Sequence, residues 1–259
     1  MAKAKTFFDV GTYTGNGGIY RVGVPTLRTA YNQQVARSLR FRVSNSAYLS
    51  RTLTTPTNNK IWTFSCWFKI GESGASSANG RRIFATTSTG DNIELGSGNT
   101  DNIQIYFNNG SSANLITTAA FRDPSIWYHL VVAVDTTQAT ASNRILFYIN
   151  GVQITSFSTS TYPSQNYVPA INSAVAHAIG TCTNASVAGQ YFGGYMSEVY
   201  FIDGQALTPS SFGEYNSDNI WMPKSYSGTY GTNGFYLNFS DNSGATATTI
   251  GKDSSRSEE

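Results

Sequence analysis

Two histidines, His129 and His177, are the side chains best suited to act as a general base near neutral pH. His129 lies in the alternating segment 127–134, so we expect a packed strand residue there. Ser125 and Asp123 are near it in sequence, but they form an Asp-Pro-Ser turn. The 259 residues contain no Gly-x-Ser-x-Gly nucleophile motif. The sequence therefore predicts no Ser/His/Asp catalysis.

One pair of acids has a spacing that bears on glycoside hydrolysis. In Glu198-Val-Tyr-Phe-Ile-Asp203 the two acids lie on opposite faces if the strand is regular. A retaining glycosidase needs two carboxyl groups about 5 Å apart on one side of the sheet. We therefore expect no catalytic residues in this chain and keep glycoside hydrolysis as the weakest alternative.

Residues that could bind a metal are sparse. Cys66 and Cys182 are the two cysteines, too few for a structural zinc site without other ligands. We predict two buried thiols and leave a disulfide between them as an open alternative. Oxygen-rich loops occur at Asp91-Asn92 and Asn99-Thr-Asp-Asn102, but neither has the dense carboxylate set of a tight calcium site. We expect turn residues there, no metal site and no cofactor, with calcium left open.

Aromatic rings beside amides can bind a sugar, because the ring stacks on the sugar face and the amides bond its hydroxyls. Two loops, residues 106–114 and 183–191, have this composition. The candidate ligand-binding residues are Tyr106, Asn108, Asn109, Asn114 and Tyr191. Trp67 is a further candidate platform, because it interrupts the polar face of a strand. Alternatively, these loops are ordinary hairpin tips and an N-terminal arm covers Trp67.

The composition favours sheets joined by tight turns. The chain has 14% aromatic residues, 24 glycines and 12% charged residues, about half the charged share of an average soluble protein. The net charge is +2 and no basic cluster exceeds Arg81-Arg82, so we expect no nucleic-acid partner. No apolar segment approaches the ~20 residues of a membrane span, and the first residues lack a signal-peptide core. We expect no membrane insertion and synthesis in the cytoplasm.

Apolar and polar residues alternate in many short segments, which is the pattern of half-buried strands. In Ile61–Ile70 one face carries Trp62, Phe64, Cys66, Phe68 and Ile70. Comparable segments are 38–43, 103–107, 126–134, 144–149, 152–157, 195–202 and 235–239. Asn150-Gly151 predicts a type I′ hairpin turn, and 208–212 a single helical turn. Without long helices to cover them, the sheets must cover each other, which predicts an all-β, two-sheet antiparallel β-sandwich.

The two ends of the chain differ from its middle. Residues 1–37 have few alternating segments and a Gly-rich piece, and we interpret them as an N-terminal arm. Residues 217–259 are rich in Gly, Ser, Asn and Thr, with isolated aromatic residues. Because exposed aromatic rings are unfavourable in water, we expect this segment to dock on the sandwich or on a neighbour. The candidate assembly residues are Phe7, Phe8, Tyr13, Trp221, Tyr226 and Tyr230.

Four groups of residues occur in the order found in laminin G-like domains. They are Ser38-Leu-Arg-Phe41 with Ser46-Ala-Tyr-Leu49, Trp62-Thr-Phe-Ser-Cys-Trp-Phe-Lys69, Trp127-Tyr-His-Leu-Val-Val132 with Leu146-Phe-Tyr-Ile-Asn-Gly151, and Gly193-Gly-Tyr-Met-Ser-Glu-Val-Tyr-Phe-Ile-Asp203 with Ala206-Leu-Thr-Pro209. Residues 38–216 therefore resemble a laminin G-like domain. The resemblance implies a concanavalin A-like jelly roll of two antiparallel sheets with extended segments at both ends.

A narrower resemblance includes both ends of the chain. The segments concerned are Phe8-Asp-Val-Gly-Thr-Tyr-Thr-Gly15, Trp221-Met-Pro-Lys224, Gly231-Thr-Asn-Gly-Phe-Tyr-Leu-Asn-Phe239 and Gly251-Lys-Asp-Ser-Ser255. They are similar to segments of tailed-phage virion proteins that carry this module. The resemblance implies a non-enzymatic structural protein on the virion surface, as a capsid decoration or a tail or head fibre component, with a role in host-surface attachment.

The expected partners follow from this resemblance. They are other virion proteins, such as capsid or fibre subunits, and a cell-surface glycan, with a homo-oligomeric assembly favoured by symmetry. The alternative function is a carbohydrate-binding lectin or adhesin module. A glycoside hydrolase is the weaker alternative.

Overall fold

The computed structural model describes residues 35–71, 80–86, 90–96, 100–182, 190–244 and 246–255. All of them belong to one structural unit, Gln33–Glu259. The other unit, Met1–Asn32, lies outside the described residues. The assembly candidates Phe7, Phe8 and Tyr13 lie outside as well, and the predicted arm, residues 1–37, is described only from residue 35.

The described residues form sixteen strands and few helical turns. The strands are β1 Leu39–Phe41, β2 Leu49–Thr52, β3 Ile61–Ile70, β4 Arg81–Thr86, β5 Asn92–Leu95, β6 Asn102–Phe107, β7 Ala113–Ala120, β8 Tyr128–Asp135, β9 Ile145–Ile149, β10 Val152–Ile154, β11 Phe157–Thr161, β12 Ala176–Ile179, β13 Gly194–Asp203, β14 Gly213–Tyr215, β15 Trp221–Pro223 and β16 Phe235–Leu237. The helical elements are 3-10 turns at Val43–Asn45, Ala141–Asn143 and Pro209–Ser211, and α1 at Ala247–Ile250.

Two large antiparallel sheets contain most of these strands. Sheet A has the order β1-β13-β3-β8-β9-β10, and β16 also pairs with β13. Sheet B has the order β11-β7-β6-β5-β4-β12-β2. Strands β14 and β15 form a separate ribbon. The predicted all-β antiparallel sandwich is therefore confirmed.

Two local predictions are also confirmed. Asn150 and Gly151 join β9 to β10 with φ angles of 49° and 82°, the positive values that the predicted hairpin turn requires. Pro209–Ser211 is a 3-10 helix with proline in its first turn. The Thr208 hydroxyl does not cap this helix and instead lies 2.9 Å from Ser210 Oγ.

In the part of the chain that the structure describes, no helix has the length and apolarity of a membrane span.

The core lies between the inner faces of the two sheets. On β3, Phe64, Cys66 and Phe68 point inward at every second position, as their spacing predicts. Stacking joins the layers, since the ring centroids of Phe64 in sheet A and Phe84 in sheet B are 4.9 Å apart. Cys66 and Cys182 are both buried, as predicted, and burial raises the pKa of the Cys66 thiol. Each large apolar side chain buried here contributes about 1.5–3 kcal/mol.

The outer face of sheet A is covered by a later part of the same chain. The apolar cluster on this face comprises Val131, Tyr200, Ile202 and Phe212, with Tyr148, Leu207, Tyr226, Tyr230 and Tyr236 packed against it. Tyr236 belongs to β16 of sheet A itself, where it is paired with Tyr200 on β13, and the two rings stack with centroids 4.2 Å apart and an interplanar angle of 4°. The residues between these two strands that pack on the outer face, 207–234, form a third layer on sheet A, which we call the C-terminal cover.

Three aromatic rings fix the C-terminal cover to sheet A. The ring of His129 lies 4.8 Å from that of Trp67 and 6.0 Å from that of Trp221. Trp221 Nε1 donates a 2.9 Å hydrogen bond to His129 Nδ1, which leaves the imidazole proton on Nε2, 2.9 Å from Ser65 Oγ. Trp67 is 0% exposed, so the prediction that it offers an exposed sugar platform is wrong. On the same face, His129 of the neighbouring strand β8 stacks on its ring.

A buried carboxylate connects the C-terminal cover to two loops. Asp203 Oδ2 accepts hydrogen bonds from the backbone N–H groups of Thr57, at 2.7 Å, and Asn233, at 3.1 Å. Asp203 Oδ1 accepts from Asn58 N at 3.2 Å and from Asn172 Nδ2 at 2.8 Å. Burial disfavours the charge, but these hydrogen bonds hold the pKa of Asp203 below its usual value. The carboxylate therefore joins three segments that are distant in sequence.

We expect Asp203→Asn to destabilise the fold, because the amide turns an N–H group toward donors that need an acceptor. The free energy of unfolding at pH 7, measured in urea, should fall by about 2–4 kcal/mol. The folded-state pKa is depressed, so the contribution of Asp203 is present above the unfolded-state pKa of about 3.9 and is lost as pH falls through the folded-state value. The two proteins should therefore converge in strong acid.

The matched control for this variant is Glu214→Gln. The Glu214 side chain is 62% exposed and lies 3.7 Å from Lys224 Nζ, a surface pair worth at most about 1 kcal/mol. Equal losses in the two variants would contradict the structural role of Asp203.

The His129 hydrogen bond gives a second prediction. Trp221→Phe removes the donor to a buried nitrogen and should lower the free energy of unfolding by about 1–3 kcal/mol. Burial lowers the pKa of His129 to about 3, below its unfolded-state value of about 6.5, so stability falls as pH drops from about 6.5 toward 3. Nitrogen-15 NMR should find the Nε2–H tautomer at pH 5. An imidazolium at that pH would refute the assignment. Tyr215→Phe, which changes a half-exposed ring, is the control for the stability measurement.

Candidate functional site

Polar side chains occupy the outer face of sheet B at its central strands. On β5 and β6 the apolar positions point into the core, so the polar positions between them lie on the opposite face. The residues of this polar face are Arg82, Asn92, Glu94, Gln104, Tyr106 and Asn114, with Gln190 in contact with Arg82. Asn92 and Glu94 are buried, whereas Tyr106 and Asn114 are half-buried. Accessibility of the polar face therefore increases toward β7.

Strand register arranges the polar face in two rows. The rows are Asn92-Tyr106-Asn114 and Arg82-Glu94-Gln104. Directly paired residues on neighbouring strands have Cβ atoms about 4.5–5.5 Å apart. The Tyr106 ring is therefore flanked by an amide on either side, from β5 and from β7.

The two flanking amides carry acceptors without donors. Asn92 Oδ1 and Asn114 Oδ1 are buried atoms that accept no hydrogen bond from the described residues. Asn92 is held in place from its other end, because its Nδ2 donates to Gly90 O at 2.9 Å. A buried acceptor without a partner costs about 1–3 kcal/mol, so native proteins retain few of them. The row has two, on either side of an aromatic ring, which suits a ligand that brings hydroxyl or amide donors.

The second row holds the tyrosine in position. Tyr106 Oη donates to Gln104 Oε1, and Arg82 pairs with Glu94 through Nη1 while Arg82 Nε donates to Gln190 Oε1. Burial raises the pKa of Glu94, and the charge and hydrogen bond of Arg82 oppose this by lowering it. Burial, followed by the nearby Glu94 charge, raises the pKa of Tyr106 to about 12, so the phenol keeps its proton near neutral pH. The ring is thus a fixed, neutral surface.

The sequence identified only part of this site. Tyr106 and Asn114 were among the predicted ligand residues and lie in one row. Asn92, Glu94 and Gln104 were missed, although their signal is present: each alternates with apolar residues on β5 or β6 and so shares a face with Tyr106.

The other predicted ligand residues lie away from the rows. Asn108 and Asn109 form the turn between β6 and β7, where each has a φ of 51° and an exposed side chain. Asn108 N donates to Asp91 Oδ1 at 2.7 Å, so this part of the loop fits the alternative interpretation as a hairpin tip. Tyr191 is half-buried beside Gln190, and residues 183–189 of its loop lie outside the described residues.

The aspartates of the two oxygen-rich loops contact protein donors. Asp91 Oδ2 accepts hydrogen bonds from the backbone N–H groups of Ala170, at 2.6 Å, and Ile171, at 3.3 Å. Asp101 forms a buried ion pair with Arg81. Within the described ranges, no group of three or more His, Cys, Asp or Glu residues is arranged to hold a metal ion. Both aspartates stabilise the loops in which they lie.

The two acids considered for hydrolysis also have structural partners. Glu198 lies at an irregularity of β13 with a φ of 46°, so the strand is not regular between the two acids. Its Oε2 accepts hydrogen bonds from Tyr200 Oη at 3.1 Å and Tyr236 Oη at 2.5 Å. Asp203 accepts the four hydrogen bonds described above. His129 is fully buried, with both ring nitrogens in hydrogen bonds. Each of these groups holds the C-terminal cover or the sheet beneath it.

Comparison with solved structures finds several partial similarities. Similar structures include a heptameric SAP-like pentraxin from Limulus polyphemus, at 16% identity, covering 66% of this chain and 77% of that one, with a TM-score of 0.47. A putative carbohydrate binding protein from Bacteroides ovatus is 14% identical, with 79% of this chain and 52% of that one covered and a TM-score of 0.47. The enzymatically active domain of tailspike protein 2 from bacteriophage CBA120 is 14% identical, with 70% and 27% covered and a TM-score of 0.44.

These structural similarities cover the chains only in part. The chain spans about half of the Bacteroides protein and about a quarter of the tailspike. All three TM-scores are below 0.5, so the function proposed below does not rest on them. No curated protein matches the sequence.

A family model gives the assignment. The Laminin_G_3 model, described as the concanavalin A-like lectin/glucanases superfamily, matches residues 41–211, well over half of the 259 residues. The matched range contains β2 to β13 and the last residue of β1, so of the described strands in the two main sheets only β16 lies wholly outside it. The laminin G-like resemblance is confirmed, and this chain belongs to the concanavalin A-like lectin/glucanases superfamily.

Proposed function

We propose that this chain is a non-enzymatic protein of the virion surface that binds carbohydrate through the polar face of sheet B. The observation that carries the binding proposal is the pair of unpartnered buried acceptors, Asn92 Oδ1 and Asn114 Oδ1, on the strands that flank Tyr106. A saccharide carries the hydroxyl donors that these acceptors require. Its ring also offers an apolar face that can stack on tyrosine.

The charges of the polar face favour a neutral saccharide. Arg82 and Glu94 form a buried ion pair with each other, so neither side chain is available to a charged ligand. Binding an acidic sugar would require Arg82 to leave a buried partner, which costs several kcal/mol. The expected ligand therefore has hydroxyl groups and no net charge.

The absence of catalysis is part of the same proposal. Glu198 accepts hydrogen bonds from β13 and β16 of sheet A, Asp203 accepts one from the C-terminal cover, and His129 donates and accepts within the protein. Using any of them as an acid or a base would break these contacts. The proposal invokes neither a metal nor another cofactor.

Asn114→Ala should separate binding from stability. Because Asn114 Oδ1 accepts no hydrogen bond from the described residues, its removal should leave the free energy of unfolding unchanged or higher. Saccharide affinity should fall by about tenfold, as expected for one lost hydrogen bond to a ligand. A glycan array identifies the ligand, and calorimetry on the full chain then compares wild type, Asn114→Ala and Tyr106→Ala.

The matched control for these variants is Asn45→Ala. Asn45 is exposed, and its Oδ1 accepts a 3.1 Å hydrogen bond from the adjacent Ser44. Saccharide binding should be unaffected in this variant. An array that is blank both with and without calcium, or equal affinity in wild type and Tyr106→Ala, would rule out the polar face as a saccharide site.

The virion part of the proposal rests on the sequence segments at both ends that resemble tailed-phage proteins. We propose synthesis in the host cytoplasm, assembly with capsid or fibre subunits as a homo-oligomer, and display on the particle surface. Trp221 is buried in its own chain, and Tyr226 and Tyr230 are half-buried there, so most of their surface contacts sheet A or the cover. Phe7, Phe8 and Tyr13 remain the assembly candidates.

Removal of residues 1–30 should abolish incorporation into particles and leave a folded domain. Removal of residues 217–259 is unsuitable as a test, because it would take Trp221 and Asn233 from their buried contacts. Mass spectrometry of purified particles tests whether the chain is incorporated, and electron microscopy with an antibody against the chain shows where it lies. With the full-length protein, the antibody should label the particle surface. Its absence from particles, or normal incorporation of the truncated form, would contradict the virion assignment.

A further inference from the structure

A cavity of about 600 Å³ lies at one edge of the sandwich, away from the polar face. It is bounded by β2 and β12 of sheet B, by β16 of sheet A and by the turn after α1. Protein interiors are normally close-packed, and this volume equals that of about twenty water molecules. It also falls within the ~300–1,000 Å³ typical of small-molecule sites. We call this volume the edge cavity.

The wall of the edge cavity is mostly apolar. Its apolar residues are Leu49, Leu53, Phe84, Ile179, Phe235 and Leu237. His177 also lines the wall, stacked on Phe84 with ring centroids 5.5 Å apart. Asn172 N donates to His177 Nε2, and burial lowers the pKa of His177 to about 4, so the ring is neutral near pH 7. The wall therefore suits an apolar body and carries no charge.

The mouth of the edge cavity carries one arginine and one aspartate. Arg51 Nη1 donates to Asp253 Oδ2 at 3.2 Å, and the arginine side chain is 45% exposed. The other carboxylate oxygen, Asp253 Oδ1, accepts hydrogen bonds from the backbone N–H groups of Tyr236 and Ser255, both at 3.0 Å. A guanidinium has five N–H donors, and among the described residues Arg51 uses one of them. The remaining donors can bind an anion at the mouth.

We propose that the edge cavity binds a small apolar monoanion, with its apolar body between the sheets and its carboxylate or sulfonate on Arg51. The two parts of the site match the two parts of such a molecule. The apolar wall takes the hydrocarbon out of water, while the half-exposed guanidinium lets the acidic group remain at the surface. This site is separate from the polar face and does not depend on the proposed saccharide binding.

Two fluorescent probes on the full chain test this site. Anilinonaphthalene sulfonate is an apolar monoanion, and phenylnaphthylamine is an uncharged molecule of similar shape. Wild type should bind both with saturation at one molecule per chain. Arg51→Gln should weaken sulfonate binding by about tenfold, the effect of one charge-assisted hydrogen bond, and leave binding of the uncharged probe unchanged. Ile179→Phe, which fills the cavity, should weaken both.

The matched control is Arg122→Gln, at an exposed arginine in the loop after β7. It should bind both probes like wild type. Circular dichroism checks that each variant is folded, and Arg51→Gln keeps the test informative if Ile179→Phe does not fold. Absence of saturable binding, or equal sulfonate affinity in wild type and Arg51→Gln, would overturn the proposal.

Discussion

Sheet A has apolar side chains on both faces, and the rest of the structure depends on covering them. Along β3 every residue from Trp62 to Phe68 is buried, whereas a strand of a simple sandwich is buried at alternate positions. Sheet B covers one face. The other contains Val131, Tyr200 and Ile202, which would form a large exposed apolar patch without the C-terminal cover. The segment after the matched family region is therefore an integral layer of the fold.

This constraint determines where recognition can occur. The cover occupies the outer face of sheet A and is fixed by Trp221 and Asn233, so a ligand cannot reach that face without displacing it. Sheet B has polar residues at the corresponding central positions, and accessibility increases toward Asn114 on β7. The saccharide site is therefore proposed on sheet B for a physical reason that holds independently of any relative.

Sequence patterns were sufficient for the features that depend on neighbouring residues. Alternation in Ile61–Ile70 identified the inner face of β3, and Asn150-Gly151 identified a hairpin, because both signals are local. The same alternation could not reveal that Trp67 is buried, since its ring stacks on His129, which in turn contacts Trp221 of the cover, and these three residues lie far apart in the chain. The Glu198 irregularity also escaped prediction, because the side chain accepts a hydrogen bond from Tyr236, which is far away in sequence on β16.

The polar face was predicted in part for a related reason. Composition drew attention to Tyr106 and Asn114, but only strand register places Asn92 beside them. The polar face can be compared with Asp203, because both places bury hydrogen-bond acceptors. Asp203 lies at the end of β13, and Asn92 and Asn114 lie on the central strands of sheet B. At Asp203 four N–H groups satisfy the carboxylate, as a purely structural site requires. At Asn92 and Asn114 the described residues leave the acceptors without donors, a cost that stability alone does not explain and that a hydroxyl-bearing ligand would remove.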